Sequence, residues 1–141
     1  MKTGYVWLSP FVKGLAVICA CALAGCGGGV DNTPETGEVI GTILLDDQPL
    51  SEATVTFNPQ GVRASTAKTD SSGKFELIYI RDEKGAAIGN HQVSISKKVQ
   101  PDGKVDGDGK ETIPKKYNTN TSLTAEVKAG KNEFDFDLKS K

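Results

Sequence analysis

The chain has 141 residues, and its 17 basic residues nearly balance its 18 acidic ones. This charge pattern provides neither the basic surface that nucleic-acid binding needs nor a polybasic patch for a lipid surface. The 16 glycines and the aromatic content of 6% are typical of short strands joined by turns, and the length predicts a single domain.

The first 25 residues have the pattern of an export signal. Lys2 and Lys13 make this segment positive, and no acidic residue occurs before Asp31. Residues 14–24 are all apolar or small, as in the apolar part of a signal peptide, and this run is shorter than the roughly 20 residues that span a membrane. We therefore exclude residues 1–25 from the predicted fold.

The three cysteines, Cys19, Cys21 and Cys26, first suggest a metal site or a disulfide framework. A metal site is disfavoured because Cys19 and Cys21 would be removed with the signal, whereas ligands must be held by a fold. A disulfide framework is disfavoured because no cysteine follows Cys26, although export implies a compartment that permits disulfides.

The tetrapeptide Leu23-Ala24-Gly25-Cys26 offers a third interpretation. It resembles the lipobox of bacterial lipoproteins, in which an aliphatic residue and two small residues precede an obligatory cysteine. The resemblance implies cleavage between Gly25 and Cys26, diacylglycerol on the Cys26 thiol and acylation of the new amino terminus, typically with palmitate. An ordinary signal peptide with a chance cysteine is the alternative. Gly27 replaces the aspartate that retains many lipoproteins at the inner membrane, which slightly favours the outer membrane.

Residues 26–36 are predicted to be a flexible tether that begins at the lipidated cysteine. Glycines, a proline and short polar residues follow one another there without periodicity. Ten residues of such a chain span about 18 Å on average. Removal of residues 1–25 takes away two lysines and no acidic residue, which changes the net charge from −1 to −3.

Beyond the tether, apolar and polar residues alternate with a period of two, which is the pattern of half-buried antiparallel strands. The alternation predicts that the following side chains point inward: Phe75, Leu77, Tyr79, His91, Val93, Ile95, Phe134, Phe136 and Leu138. The predicted strands are residues 38–46, 53–59, 74–80, 91–99, 121–127 and 132–138. Turn sequences separate them at residues 46–49, 70–73 and 129–132.

About seven short strands, with no helical pattern longer than a turn, predict an all-β fold over residues 37–141, namely an antiparallel β-sandwich. The order of Gly41, Pro49-Leu50, the turn at residues 69–73 and Gly89-x-His91-x-Val93 resembles the carboxypeptidase regulatory-like domain. That resemblance implies a transthyretin-like (prealbumin-like) sandwich with an immunoglobulin-like Greek key, and it supplies the remaining strand at residues 64–69. The tail from residue 113 also resembles small lipoproteins of planctomycete-type bacteria.

His91, the only histidine, is the first candidate for catalysis. Ser94 and Ser96 are close to it in sequence, but alternation puts them on the opposite face of the strand, and no G-x-S-x-G motif occurs. The transthyretin-like fold includes the hydroxyisourate hydrolases, which use several histidines and end in Tyr-Arg-Gly-Ser. This chain ends in Lys139-Ser140-Lys141, so the sequence predicts no enzyme.

The segment of residues 101–111 is a weak candidate for calcium binding, because Asp102, Asp106 and Asp108 alternate with glycines. Neither register of an EF-hand loop places an acidic residue at position 12, where Ile113 or Tyr117 would stand. Nearby lysines also compete for the carboxylates. The prediction is therefore a solvated loop that holds no metal, and no cofactor is expected.

Two tyrosines, Tyr117 and Tyr79, are weak candidates for ligand binding, since an exposed ring can stack on a sugar. Packing of the Tyr117 ring against the sheet is the favoured prediction. The sequence predicts an envelope lipoprotein that presents a non-catalytic binding or structural module, with a glycan-binding module as the second hypothesis. Its partners would be a membrane, through the lipid anchor, and an envelope protein or glycan, with no role for nucleic acid.

Overall fold

A computed structural model describes residues 33–105 and 107–141. Within them the chain is nearly all β, with one short 3-10 helix at Lys115–Tyr117. The strands are β1 (Thr36–Leu45), β2 (Gln48–Pro49), β3 (Thr54–Pro59), β4 (Ser65–Lys68), β5 (Lys74–Glu76), β6 (Ile78–Ile80), β7 (Glu83–Lys84), β8 (Ala86–Ala87), β9 (Gly89–Ser96), β10 (Lys98–Val99), β11 (Lys110–Glu111), β12 (Thr124–Val127) and β13 (Lys131–Leu138).

These strands form two main sheets, and the predicted all-β sandwich is confirmed. In sheet I, β1 lies at the centre and pairs with β13, β2, β5 and β8. Sheet II has the order β12-β9-β3-β4-β6-β7, and β10 and β11 form a separate hairpin. No helix in the described part of the chain is long and apolar enough to cross a membrane.

The pairing of β1 with β13 corrects the expectation that the strands are all antiparallel. These two strands run parallel, in a register from Glu38 opposite Lys131 to Leu45 opposite Leu138. The other strand pairs are antiparallel. Alternation of apolar residues reports which face of a strand is buried, and it carries no information about the direction of the neighbouring strand.

The predicted strand at residues 74–80 is divided between the two sheets. Its first part, β5, pairs with β1 in sheet I, and its second part, β6, pairs with β4 in sheet II. At the crossing point, the backbone N–H of Leu77 donates to the carbonyl of Val39 at 2.9 Å, and the N–H of Gly85 donates to the carbonyl of Leu77 at 2.7 Å. The side chains of Phe75, Leu77 and Tyr79 are buried, as predicted.

The core lies between the sheets, with Phe57 of β3 at its centre. The ring centroids of Phe134 and His91 are both 5.7 Å from that of Phe57, and those of Phe75 and Phe136 are both 6.4 Å away. Phe134 and Phe136 pack against the core but are only half-buried. The inward set of β9, namely His91, Val93 and Ile95, is buried as predicted.

One end of the sandwich, here called the tether end, is where the described chain begins. β1, β4, β9 and β13 start there, and β3 and β12 end there, as their registers require. The two sheets meet at this end because β8 pairs with the start of β1 and leads directly into β9. The far end carries the β1–β2 turn and the carboxyl terminus of β13.

Candidate functional site

The residues predicted for lipid attachment and signal cleavage, Cys26 and Gly25, lie outside the described residues. The folded part begins close to them in sequence, since β1 starts at Thr36.

The aspartate-rich segment is closed at its base by the β10–β11 hairpin. The carboxylate of Asp102 accepts from its own neighbour Lys104, whose Nζ is 2.9 Å away and whose backbone N–H is 3.0 Å away. These hydrogen bonds, led by the one from the Lys104 side chain, hold the pKa of Asp102 below its usual value. Asp108 is exposed, Asp106 lies outside the described residues, and no group of three His, Cys, Asp or Glu side chains suited to a metal occurs among the residues that are described.

Glu111, at the end of the same segment, has a structural role that the sequence did not indicate. Its Oε1 accepts from the backbone N–H groups of Lys97 and Ile113, both at 2.9 Å, and its Oε2 accepts from the hydroxyl of Ser96. Partial burial raises the pKa of this carboxyl, but the hydrogen bonds from Ser96, Ile113 and Lys97 outweigh it and lower the pKa below 4.5. The ionised carboxylate thus joins the end of β9 to the chain that follows β11.

This network predicts an acid-sensitive contribution to stability. We expect Glu111→Gln to lower the free energy of unfolding by about 2 kcal/mol at pH 7, because hydrogen bonds to an ionised group are lost. Since the folded-state pKa lies below the unfolded one, the contribution is complete above about pH 5 and disappears as the pH falls through the folded pKa. Urea unfolding of the wild type and of Glu111→Gln between pH 7 and pH 3 measures this contribution to the free energy of unfolding. Glu126→Gln, at an exposed position of β12, is the control, and a difference that stays constant down to pH 3 would contradict the prediction.

Neither tyrosine offers the exposed ring that a sugar would need. Tyr79 is 8% exposed. Tyr117 packs against the core, and its hydroxyl oxygen accepts from the backbone N–H of Lys139 at 3.0 Å. The Nζ of Lys116 lies 5.1 Å from the centroid of the Tyr117 ring. The packing predicted for the Tyr117 ring is therefore observed, with the ring against the core.

His91 is 2% exposed and belongs to the core side of β9. Its Nε2 lies 2.6 Å from the carbonyl oxygen of Ala87, and because a carbonyl only accepts, Nε2 carries the proton. Nδ1 has no hydrogen-bonding partner among the described residues. Ser94 and Ser96 lie on the outer face of the same strand, so the structure does not bring this histidine and these two serines together as a catalytic pair.

The largest described cleft, of about 760 Å³, opens at the tether end above the starts of β8 and β9. Four amide side chains line it, and none of its described lining residues is charged. Three of the polar side chains form a row across sheet II, since Gln92 of β9 stands opposite Asn58 of β3 and Thr124 of β12. The lining residues are Pro34, Asn58, Pro59, Gln60, Val62, Ala87, Ile88, Gly89, Asn90, His91, Gln92 and Thr124.

The described polar side chains of this cleft can form hydrogen bonds, and none of them is charged. Asparagine and glutamine amides both donate and accept, and Val62 and Ile88 supply apolar contact. Such a lining suits a neutral, polar ligand, and none of the described lining side chains is a carboxylate, a thiol, a lysine or an arginine. Sequence patterns missed the cleft because its residues come from four separate segments, and only His91 among them carried a recognisable signal.

Comparison with known proteins adds little to this description. No family model matches the sequence, and no match was found among curated proteins. Among solved structures, a 9R-lipoxygenase from Cyanothece PCC8801 is similar over 74% of this chain, with 13% identity and a TM-score of 0.40. This chain spans 16% of that protein, and a likeness at this level supports no conclusion about function.

Proposed function

We propose that the chain is a lipoprotein of the bacterial cell envelope, which presents its β-sandwich as a non-catalytic binding or structural module. The observation that carries the proposal is Leu23-Ala24-Gly25-Cys26 at the end of an apolar segment. The position of the fold supports it, because β1 begins ten residues after Cys26. A glycine-rich tether of that length separates the anchor from the sandwich.

The non-catalytic part of the proposal is supported by the chemistry of the described cleft and by the placement of His91. A catalytic site needs titratable groups that meet at a ligand, whereas the described lining residues are amides, small residues and aliphatic side chains around one buried imidazole. We assign the sandwich to the carboxypeptidase regulatory-like domains as part of the same proposal. The glycan-binding hypothesis gains no support from Tyr79 or Tyr117, whose rings are used in packing.

Substitution of Cys26 tests the proposal directly. We expect Cys26→Ser to abolish incorporation of labelled palmitate and to release the protein from the membrane fraction, apart from precursor with an uncut signal. A single acyl chain binds a bilayer marginally and two or three hold firmly, at about 0.8 kcal/mol for each buried methylene. Removal of one sulfur should therefore remove the whole anchor.

Cys19 and Cys21 provide matched controls, since both lie in the predicted signal. Cys19→Ser and Cys21→Ser should keep the label, and the mass of the labelled wild-type protein should correspond to a lipidated chain that begins at Cys26. Label that is absent from the wild type, or that persists in Cys26→Ser, would show that the chain is not a lipoprotein.

A further inference from the structure

Three large hydrophobic side chains are exposed in the described part of the chain, and all three lie at the tether end. They are Val62 (42% exposed), Ile80 (37%) and Ile88 (40%). Val62 is in the β3–β4 turn, Ile80 ends β6 at the turn into β7, and Ile88 joins β8 to β9. Exposed aliphatic residues scattered singly are ordinary in proteins, so the relevant observation is that these three share the end at which the chain enters the sandwich.

The chain enters the sandwich beside two of these residues. Pro34 lines the same cleft as Val62 and Ile88, and the backbone N–H of Ile88 donates to the carbonyl of Glu35 at 2.9 Å. Cys26 is eight residues before Pro34. A glycine-rich segment of this length spans about 16 Å on average, so a lipid on Cys26 would hold the tether end, and not the far end, next to the bilayer.

Two of the exposed aliphatic residues are followed by an exposed arginine, in the pairs Val62-Arg63 and Ile80-Arg81. An aliphatic side chain beside a guanidinium suits the boundary of a bilayer, where acyl chains meet phosphates. Glu35, Asp82 and Glu83 share this end, so the attraction would come from these local pairs and not from a net positive charge.

We infer that the tether end of the anchored protein rests on a phospholipid surface, with Val62 and Ile88 at the level of the lipid headgroups. This orientation rests on the lipidation proposed for Cys26. So few apolar side chains bind a membrane weakly by themselves. A short flexible tether raises their local concentration at the surface to the millimolar range, which makes a weak contact persistent.

Tryptophan fluorescence can test the orientation, because the only tryptophan, Trp7, precedes the predicted cleavage site. The full chain would be expressed with its own leader as Val62→Trp, Ile88→Trp or Gln48→Trp, purified from membranes and reconstituted into vesicles. The vesicles would contain phosphatidylethanolamine and phosphatidylglycerol with brominated acyl chains, which quench nearby tryptophan. Gln48, exposed in β2 at the far end, is the control for the affinity of tryptophan itself for membranes.

We expect quenching at positions 62 and 88 to be at least about threefold stronger than at position 48, because β1 separates the two ends by ten residues, or about 30 Å. Addition of Val62→Asp to the Ile88→Trp protein should lower quenching at position 88 by about half. Mass spectrometry of the same samples reports the lipid. If Cys26 carries lipid and the three positions are quenched equally, or Val62→Asp has no effect, the orientation is overturned alone. If Cys26 carries no lipid, the orientation and the proposed function fall together.

Discussion

Phe57→Ala is expected to destabilise the sandwich strongly. The Phe57 side chain is fully buried, and its ring contacts aromatic side chains of both sheets, Phe134 of sheet I and His91 of sheet II, each at 5.7 Å between centroids. Truncation of a buried phenylalanine costs about 3–5 kcal/mol, through lost burial and the cavity that remains. A small domain has a total stability of about 5–15 kcal/mol, so this single change removes a large part of it.

Thermal unfolding followed by circular dichroism measures the loss for Phe57→Ala, and we expect the midpoint to fall by at least about 12 °C. Phe136→Ala is the matched control. Its ring belongs to the same aromatic cluster, 6.4 Å from Phe57, but Phe136 is half-buried at the edge of sheet I. The unfolding midpoint of the Phe136 variant should therefore fall by less. An equal fall in both variants would contradict the central position of Phe57.

Gly41→Ala is expected to lower the free energy of unfolding by about 3 kcal/mol or more. The same change normally stabilises a strand. Alanine normally favours a strand over glycine by about 0.5–1 kcal/mol. At Gly41, however, an added Cβ would stand 2.7 Å from the Phe75 ring and closer still to the carbonyl oxygen of Phe134 on β13. The carbonyl belongs to the parallel β1–β13 ladder and cannot rotate away, so the two strands would have to separate, which is a severe case of overpacking.

Gly61→Ala is the control for Gly41→Ala, because its Cβ would meet no atom within 4 Å. The backbone φ of Gly61 is +80°, so alanine there costs only the penalty of a left-handed conformation, about 1–2 kcal/mol. Urea unfolding of both variants distinguishes the steric clash at position 41 from the conformational penalty at position 61. A Gly41→Ala protein as stable as the wild type would mean that β1 and β13 are not packed this closely.

Local pattern in the sequence was sufficient for the fold class, for most strand positions and for the inward faces. The face of a strand depends on a period of two within a few residues, and Phe75, Leu77, Val93 and Ile95 showed that period without knowledge of their neighbours. The proposed lipid-attachment motif is also local, since it consists of the four consecutive residues Leu23 to Cys26. Both the inward faces of the strands and the motif can therefore be predicted from the order of residues alone.

Only the tertiary structure decided which strands are partners and what their side chains meet. The parallel pairing of β1 with β13 joins residues more than ninety positions apart, such as Leu45 and Leu138, and the division at Leu77 depends on two backbone partners in different segments. Glu111 had no assigned role in the sequence, and its carboxylate has one only because the fold brings it to the end of β9. The uncharged cleft and the exposed aliphatic residues at the tether end arise in the same way, because a surface is assembled from segments that are distant in sequence, and no local periodicity records which of them will meet.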